Sequence, residues 1–392
     1  MTVIADRASA PGLRSRLPGL LSLALASCLA VPTEMLPVGL LPDVGAAFSK
    51  SESVTGLLVT LYAVMVAALA VPLTVATTRF GRRPLLLATV LGYVVSNALV
   101  AAAPTFAVVA TGRAVGGLTH ALFFSLTIGY VPRLVARADL GRALAIVSGG
   151  ASAGFVLGMP LSTSLGTAAG WRVPFVVLAA LSCLTFVAVY RLLPRVEYTP
   201  HTNRSDRGGR GALVAVSASN LLTFLGHFTA YTFISLLLLT SGVSPAFVGP
   251  ILLACGACGL IGLWWVGRNL DRSPRRTAAV ALGGVIVAVV ILGISWPMLV
   301  AVLAATALWG AAFGGIPSIY QATAVRTHAL PPEQAGAWVN ATANVGIGGG
   351  AAIGAVLLQS VGLASLPWVA AALVALGLAV AMTARKAFPR SV

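Results

Sequence analysis

The sequence predicts an all-helical membrane protein, and three observations support this fold class. Apolar residues make up 58% of the 392 residues and charged residues only 9%, whereas soluble domains carry about 25% charged residues. Apolar runs of roughly 20 residues, the length needed to cross a ~30 Å hydrocarbon core, recur throughout the chain. The alternating segments of ~10 residues that build a membrane barrel are absent from the sequence. These observations exclude a water-soluble globule and predict many membrane-spanning helices.

The apolar runs divide the chain into twelve predicted spans. Their bounds are 17–41, 53–77, 84–103, 105–131, 141–166, 171–193, 212–240, 245–267, 277–295, 297–325, 334–361 and 365–384. A polar, basic stretch rich in glycine and proline lies between the sixth and seventh spans and is typical of a flexible linker. We therefore expect an N-terminal tail, a six-helix bundle, a linker, a second six-helix bundle and a C-terminal tail, at 1–16, 17–193, 194–211, 212–384 and 385–392.

Basic residues are concentrated on one side of these spans. Of the 25 arginines and lysines, all except Lys50, Arg113 and Arg172 lie in the two tails, in the even-numbered connections between spans, or within three residues of these connections. Such a bias marks the cytoplasmic face of a membrane protein. It predicts a multi-pass protein of the inner (plasma) membrane with both termini in the cytoplasm. It also explains the net charge of +16 without a nucleic-acid partner.

The two halves of the chain resemble each other. The basic motif TRFGRR at 78–83 follows span 2, and DRSPRR at 271–276 follows span 8. Three glycines in span 4 recur with the same mutual spacing in span 10, at positions 112, 116 and 117 and at 310, 314 and 315. We interpret this as an internal duplication. Transporters built from such repeats hold their substrate between them, near the middle of the membrane.

Span 5 contains Gly154 and Gly158, four residues apart, and then Pro160. Small residues at this spacing let helices pack closely, and a proline permits a bend. Two interpretations stay open: a deformable contact that moves during transport, or simple helix packing.

These motifs together resemble the major facilitator superfamily over essentially the full chain. The closer resemblance is to its twelve-helix drug:proton antiporter group, including the bacterial sugar and drug efflux branch. Gly267, Asp271 and the basic residues Arg272, Arg275 and Arg276 resemble the family's loop signature. The first-half copy keeps Arg79, Gly81, Arg82 and Arg83 but has Thr74 and Thr78 where glycine and aspartate are usual.

Three other stretches extend the resemblance to the efflux group. The pattern at Gly154, Gly158 and Pro160 is similar to the group's export signature, with one residue inserted before the proline. The stretches GWRVPF at 170–175 and TEMLPVGLLP at 33–42 also look like this group. The resemblance implies two six-helix bundles about a pseudo-two-fold axis and transport by alternating access. The expected partners are a small-molecule substrate, protons and the lipid bilayer, without a cofactor, and we expect a monomer.

Two charges lie inside predicted spans, Glu34 in span 1 and Arg113 in span 4. An intramembrane charge costs at least ~2.5–3.5 kcal/mol on insertion scales, so such residues are usually functional. At ~1.5 Å per residue both lie in the outer half of the membrane at overlapping depths. They could form a fixed ion pair that joins two helices, or a site for proton coupling or substrate binding. The position equivalent to Arg113 in the second half is Ala311, which predicts that the chemistry lies mainly in the first half.

Other polar and aromatic residues at membrane depth are weaker candidates for a substrate cavity. Each one alone is better explained by a hydrogen bond between helices than by contact with a ligand. Together they predict a mixed polar and apolar cavity suited to amphipathic small molecules. They are Tyr62, His120, Phe124, Asn220, His227, Tyr231, Gln321, Asn340 and Asn344.

Several functions find no support in the sequence. The four cysteines lie in apolar runs without a second metal-binding pair, and His201 and His328 lie at the cytoplasmic face, so we expect no metal site. The Gly-rich phosphate-binding loop of ATP-driven proteins is missing, and no soluble domain is long enough for an enzyme. The leading hypothesis is therefore proton-driven export of a drug, an antibiotic or a sugar-like metabolite. The alternatives are uptake or facilitated diffusion of a metabolite, and a membrane sensor or assembly partner without transport.

Overall fold

A computed structural model describes residues 13–77, 80–135, 139–196, 209–330 and 332–389. Within these ranges the chain forms twelve consecutive helical rods, α1 to α12, and no strand. Their bounds are Leu13–Ala47, Glu52–Ala76, Arg82–Ala101, Phe106–Leu134, Leu140–Ala169, Val173–Leu192, Arg210–Thr240, Pro245–Asn269, Pro274–Ser295, Leu299–Arg326, Pro332–Ser360 and Leu366–Thr383. The twelve predicted spans are confirmed, with end points that shift by a few residues. Most of the predicted linker, 197–208, lies outside the described residues.

Eleven of the rods in the described part of the chain are unbroken or nearly so, and long and apolar enough to cross a membrane. The remaining rod, α5, is interrupted by a π-helical segment, Gly154–Gly158, between Leu140–Ala153 and Met159–Ala169. A π turn accommodates one extra residue in a helix. The residue that is inserted before Pro160, relative to the family pattern, therefore has a structural counterpart in this segment.

Helix contacts repeat between the two halves of the chain. In the first half α1 packs against α5, α2 against α4, and α3 against α4 and α6. The equivalent contacts in the second half join α7 to α11, α8 to α10, and α9 to α10 and α12. Across the halves α2 packs against α11, and α5 against α8. The described helices thus show the repetition that the sequence motifs predict.

Helix α1 contains prolines at 32, 37 and 42, and each one leaves a main-chain carbonyl free in the preceding turn. The freed carbonyl oxygens belong to Cys28, Thr33 and Val38. A Cβ placed on Gly154 of α5 would lie 2.2 Å from the oxygen of Cys28. Arg113 of α4 donates to the oxygen of Thr33, and the hydroxyl of Ser235 in α7 donates to that of Val38 at 3.3 Å. The three carbonyl groups thus contact three different helices, α5 by close backbone packing and α4 and α7 by hydrogen bonds.

The repeated glycines allow close helix contacts in both halves. A Cβ on Gly117 of α4 would lie 2.5 Å from the main-chain oxygen of Tyr62 in α2. In the second half a Cβ on Gly314 of α10 would lie 2.1 Å from the main-chain oxygen of Gly259 in α8. Real Cβ atoms do not approach so closely, so these positions need glycine.

Two adjacent glycines in α5 provide a matched test of this packing. A Cβ on Gly150 would lie 2.1 Å from the main-chain oxygen of Ala24 in α1, whereas a Cβ on Gly149 would meet no atom within 4 Å. We expect Gly150→Ala to lower the free energy of unfolding by about 1–3 kcal/mol, because the two backbones must separate. Gly149→Ala should have little effect. Thermal unfolding of the two purified variants measures the difference, and equal melting temperatures would contradict this packing.

Candidate functional site

Glu34 lies in the middle of α1 with only 6% of its surface exposed. Its carboxylate oxygen Oε2 is 3.4 Å from Nε2 of His120 in α4. The other oxygen, Oε1, is buried and has no hydrogen-bond partner in the described part of the chain. A buried carboxyl group that keeps one oxygen unbonded has a vacant position for a proton or for a polar group of a ligand.

His120 connects this carboxyl group to a second polar side chain. Its Nδ1 is 3.1 Å from the hydroxyl of Tyr93 in α3. A tyrosine hydroxyl can donate or accept, so the ring can hold its proton on either nitrogen. The rings of Tyr62 and Phe124 pack against His120 with centroids 5.6 and 4.9 Å away. Glu34, His120 and Tyr93 thus form a continuous line of polar contacts across α1, α4 and α3.

Arg113 meets Glu34 through the main chain. Its Nη1 donates to the carbonyl oxygen of Thr33 and its Nη2 to that of Glu34, each at 2.5 Å. Its guanidinium also lies 4.2 Å from the centroid of the Tyr62 ring, a cation–π contact. The two charged residues, which the sequence places at overlapping depths, are therefore close together in the structure, while the carboxylate itself contacts His120. Pro37 was the sequence signal for this arrangement, because it removes the helical partner of the Thr33 carbonyl.

Three buried polar atoms around this point have no partner among the described residues. They are Oε1 of Glu34, the hydroxyl of Tyr62 and Nε of Arg113. Leaving a buried polar group unsatisfied costs about 1–3 kcal/mol, and more for a charged group. Three such groups in one place point to a binding or functional role, so this cluster, which we call the Glu34 site, is the first candidate functional site.

A second cluster, the His227 site, lies between α7 and α10. His227 is 2% exposed, and its Nδ1 accepts a hydrogen bond from Nε1 of Trp309 at 3.0 Å. Its ring stacks on Phe313 with a centroid distance of 3.5 Å and on Tyr231 at 4.7 Å. An indole nitrogen can only donate, so neutral His227 must carry its proton on Nε2. That N–H group is buried and has no partner among the described residues.

A small cavity of about 30 Å³ adjoins the His227 site. Its walls come from both halves of the chain, because Phe155 of α5 faces residues of α7, α8 and α10. Phe155 and Phe313 approach within 6.3 Å between ring centroids. The volume suffices for a water molecule, and a larger ligand requires α5 and α8 to move apart. The His227 site therefore has an unbonded donor, aromatic walls and a position between the two halves.

The amide side chains among the predicted cavity residues lie apart from both sites. Asn220 joins α7 to α11, because its Nδ2 donates to the carbonyl oxygen of Val339 and to the hydroxyl of Thr342, at 2.8 and 2.9 Å. Asn344 donates to the main-chain oxygen of Asn340 within α11, and Gln321 is half-buried in α10. The structure therefore brings Tyr62, His120 and Phe124 together at the Glu34 site, and His227 and Tyr231 at the other, while the amides lie elsewhere.

The residues of the predicted conformational motifs occupy two places. Gly158 packs against α1, where a Cβ on this glycine would lie 2.8 Å from the ring of Pro32. Pro160 packs against α8, where a Cβ on Gly256 would lie 3.7 Å from the proline ring. The loop motif of the second half lies between α8 and α9, and we call this end of the molecule, which contains Asp271, Arg272, Arg275 and Arg276, the basic end. There Asp271 forms an ion pair with Arg326 across α8 and α10.

The remaining loop-motif residues lie at or near the same end. Gly81 is the N-cap of α3 and Arg82 is buried. Arg83 donates to the carbonyl oxygen of Tyr190, and Arg275 to that of Met382. Arg272 and Arg276 are exposed, and a Cβ on Gly267 would meet no atom within 4 Å. Arg79 lies outside the described residues.

Comparison with known proteins agrees with this architecture. Residues 23–337 match the family model described as Major Facilitator Superfamily. A probable sugar efflux transporter of Mannheimia succiniciproducens is 30% identical over 90% of this chain and 89% of its own length. A chloramphenicol efflux pump of Mycobacterium tuberculosis is 31% identical over 86% of this chain and 85% of its own length.

Two solved structures share the fold at low sequence identity. A bacterial homologue of the human lysosomal transporter Spinster, solved in an inward-facing and unoccupied conformation, superposes with a TM-score of 0.70 at 15% identity and covers 96% of this chain and 98% of that chain. The human organic anion transporter MFSD10 gives 0.70 at 19% identity and covers 95% of this chain and 100% of that chain. The twelve helices, the duplicated halves and these matches lead to one conclusion: this chain belongs to the Major Facilitator Superfamily and is a membrane transporter rather than an enzyme.

Proposed function

We propose that the protein exports a small amphipathic molecule in exchange for protons, and that Glu34 carries the proton. The observation that supports this proposal most strongly is the buried Glu34 carboxyl group, which contacts His120 through one oxygen and leaves the other unbonded. Burial favours the neutral form of a carboxyl group, while a nearby guanidinium favours the charged form. A group under both influences can gain or lose a proton when its surroundings change.

The attachment of α1 to other helices explains how a proton at Glu34 can alter the shape of the transporter. Arg113 binds the main chain at Glu34 itself, whereas Ser235 binds one turn further along and belongs to the second half. A change in the position or charge of Glu34 therefore acts on α4 directly and on α7 through α1. This physical connection between the halves is what alternating access requires.

The His227 site supplies the features expected for binding the exported molecule. Its unbonded N–H group requires a hydrogen-bond acceptor, such as a hydroxyl, ether or carbonyl oxygen, and its aromatic walls suit an apolar face. The relatives named above are described as exporting sugars or chloramphenicol. We therefore place the cargo in this class of small, oxygen-bearing compounds.

Transport in inside-out vesicles tests the proposed direction and driving force. With the vesicle lumen acidified, an exporter driven by protons accumulates cargo against its gradient, and added cargo moves protons out of the lumen. Radiolabelled chloramphenicol and a panel of sugars serve as the first probes. Equilibration without accumulation would instead support the second candidate, facilitated diffusion or uptake through the same fold.

Replacement of His227 tests the cargo site separately from proton coupling. We expect His227→Phe to raise the KM for cargo about tenfold, because the variant keeps an aromatic ring but loses the Nε2–H donor and the acceptor that holds Nε1 of Trp309. Asn220→Leu is the comparison variant. It removes a buried polar side chain from the same helix, but that side chain bonds to α11 and lies outside the His227 site. A KM that is unchanged in His227→Phe, with normal folding, would remove His227 from the cargo site.

A further inference from the structure

A cavity at the basic end of the second half is separate from both sites described above. It has a volume of about 250 Å³, several times the ~30 Å³ that one water molecule occupies in the liquid. It lies between the start of α9 at Pro274, the end of α10, and the segment that follows α12, which includes Lys386 and Pro389. The cavity belongs to one half of the chain, so alternation between the halves does not by itself account for it.

The segment after α12 is held firmly in place. Phe388 is completely buried and meets the ring of Tyr320 edge-on at 6.5 Å. The main-chain N–H of Arg275 donates to the carbonyl oxygen of Pro389 at 3.2 Å, and the Arg275 side chain donates to that of Met382. These contacts make the walls of the cavity a built structure rather than a loose chain end.

The cavity is lined by donors and by positive charge. Arg326, His328 and Lys386 all line it. Arg326 is partly neutralised by Asp271, whose carboxylate side chain is 79% exposed, while Lys386 has no ion pair among the described residues. The first turn of α9 adds the positive end of a helix dipole, which favours anions.

Thr323 provides the second, independent observation. It lines the cavity, is only 1% exposed, and its hydroxyl is buried with no hydrogen-bond partner in the part of the chain that the structure describes. A threonine hydroxyl in a helix can usually bond to the carbonyl four residues earlier, and this one does not. A cavity lined by a residue with an unbonded hydroxyl and by a lysine, an arginine and a histidine matches an anion with several oxygen atoms.

We propose that this cavity binds a phosphate group, supplied either by the headgroup of an anionic phospholipid or by free phosphate. Phosphate oxygens diverge from one centre and accept charge-assisted hydrogen bonds from several directions, which fits donors that come from α10 and the C-terminal segment. The bound group ties that segment to the ends of α9 and α10 and so stabilises the basic end of the second half. This inference does not depend on proton coupling or on the nature of the cargo.

The test uses the purified full chain in maltoside micelles, which contain no phosphate. One arm titrates inorganic phosphate against sodium chloride of equal ionic strength, and the other adds phosphatidylglycerol to the micelles. Thermal unfolding and native mass spectrometry report binding. We expect saturable binding and a raised Tm in at least one arm. The arm that responds identifies the source of the phosphate.

Two adjacent residues give a matched pair for this test. Lys386 lines the cavity and Arg385 does not, although both are exposed and carry one positive charge. We expect Lys386→Gln to weaken binding about tenfold and Thr323→Val about threefold, as losses of one charged and one neutral hydrogen bond imply. Arg385→Gln should stay within about twofold. The proposal is wrong if neither probe binds saturably, or if Arg385→Gln weakens binding as much as Lys386→Gln.

Discussion

Glu34→Gln is expected to abolish accumulation of cargo against its gradient while leaving cargo binding within about threefold of the original affinity. Glutamine is close in shape to a protonated glutamate but cannot release a proton, so the carrier loses its coupling and keeps its packing. Accumulation in vesicles with an acidified lumen measures the first effect. Cargo-induced changes in tryptophan fluorescence measure the second.

Glu52 provides the control for this experiment. It lies in the first turn of α2, about 15 Å along the helix from Tyr62, the residue of α2 that belongs to the Glu34 site. Glu52→Gln removes the same charge, and we expect it to leave accumulation unchanged. Full uphill transport by Glu34→Gln would show that the proton is carried elsewhere.

Arg113→Ala is expected to lower the free energy of unfolding by about 2–4 kcal/mol and to reduce transport to background. The substitution removes two hydrogen bonds to main-chain oxygens and the contact with the Tyr62 ring, and it leaves the carbonyl of Thr33 without a partner. Arg113→Lys should have a stability and a transport rate between those of the original protein and of Arg113→Ala, because an ammonium group lacks the planar fork that reaches both oxygens. Thermal unfolding and vesicle transport measure the two effects.

Arg172 offers a comparison of the same chemical kind. It donates to the carbonyl oxygen of Ala103 at 2.9 Å and covers the ring of Trp171 at 4.3 Å, at the start of α6. Because its hydrogen bond and ring contacts involve Ala103, Phe48 and Trp171 and none of the residues of the Glu34 site, Arg172→Ala should change stability and preserve coupling. If Arg113→Ala retains wild-type transport, the guanidinium does not position Glu34.

The sequence was sufficient to predict the twelve spans, the duplication and the overlapping depths of Glu34 and Arg113. These follow from the apolar runs, from repeated motifs, and from the depth of each charge along its helix, all of which are set by the order of residues. The helix ends and the π segment of α5 shift the bounds by only a few residues. Each of these features depends on spacing along one helix at a time.

The contacts of the side chains could not be predicted in the same way. Whether Arg113 meets the carboxylate or the main chain of α1 depends on how α1 and α4 rotate against each other, and on a carbonyl that Pro37 leaves free. The choice of His120 as the partner of Glu34 depends equally on this rotation. Asn220 and His227 share one face by spacing, yet they contact α11 and α10 respectively, because a helix face is wide enough to meet two neighbours.

Direct measurement of protons released by cargo tests the central claim that Glu34 carries the coupled proton. Cargo is added to the purified protein in weakly buffered solution near neutral pH, and the change in pH is followed with a dye. The original protein should release protons in proportion to bound cargo, Glu52→Gln should match it, and Glu34→Gln should release none while still binding cargo. Equal release by Glu34→Gln and the original protein would contradict the claim.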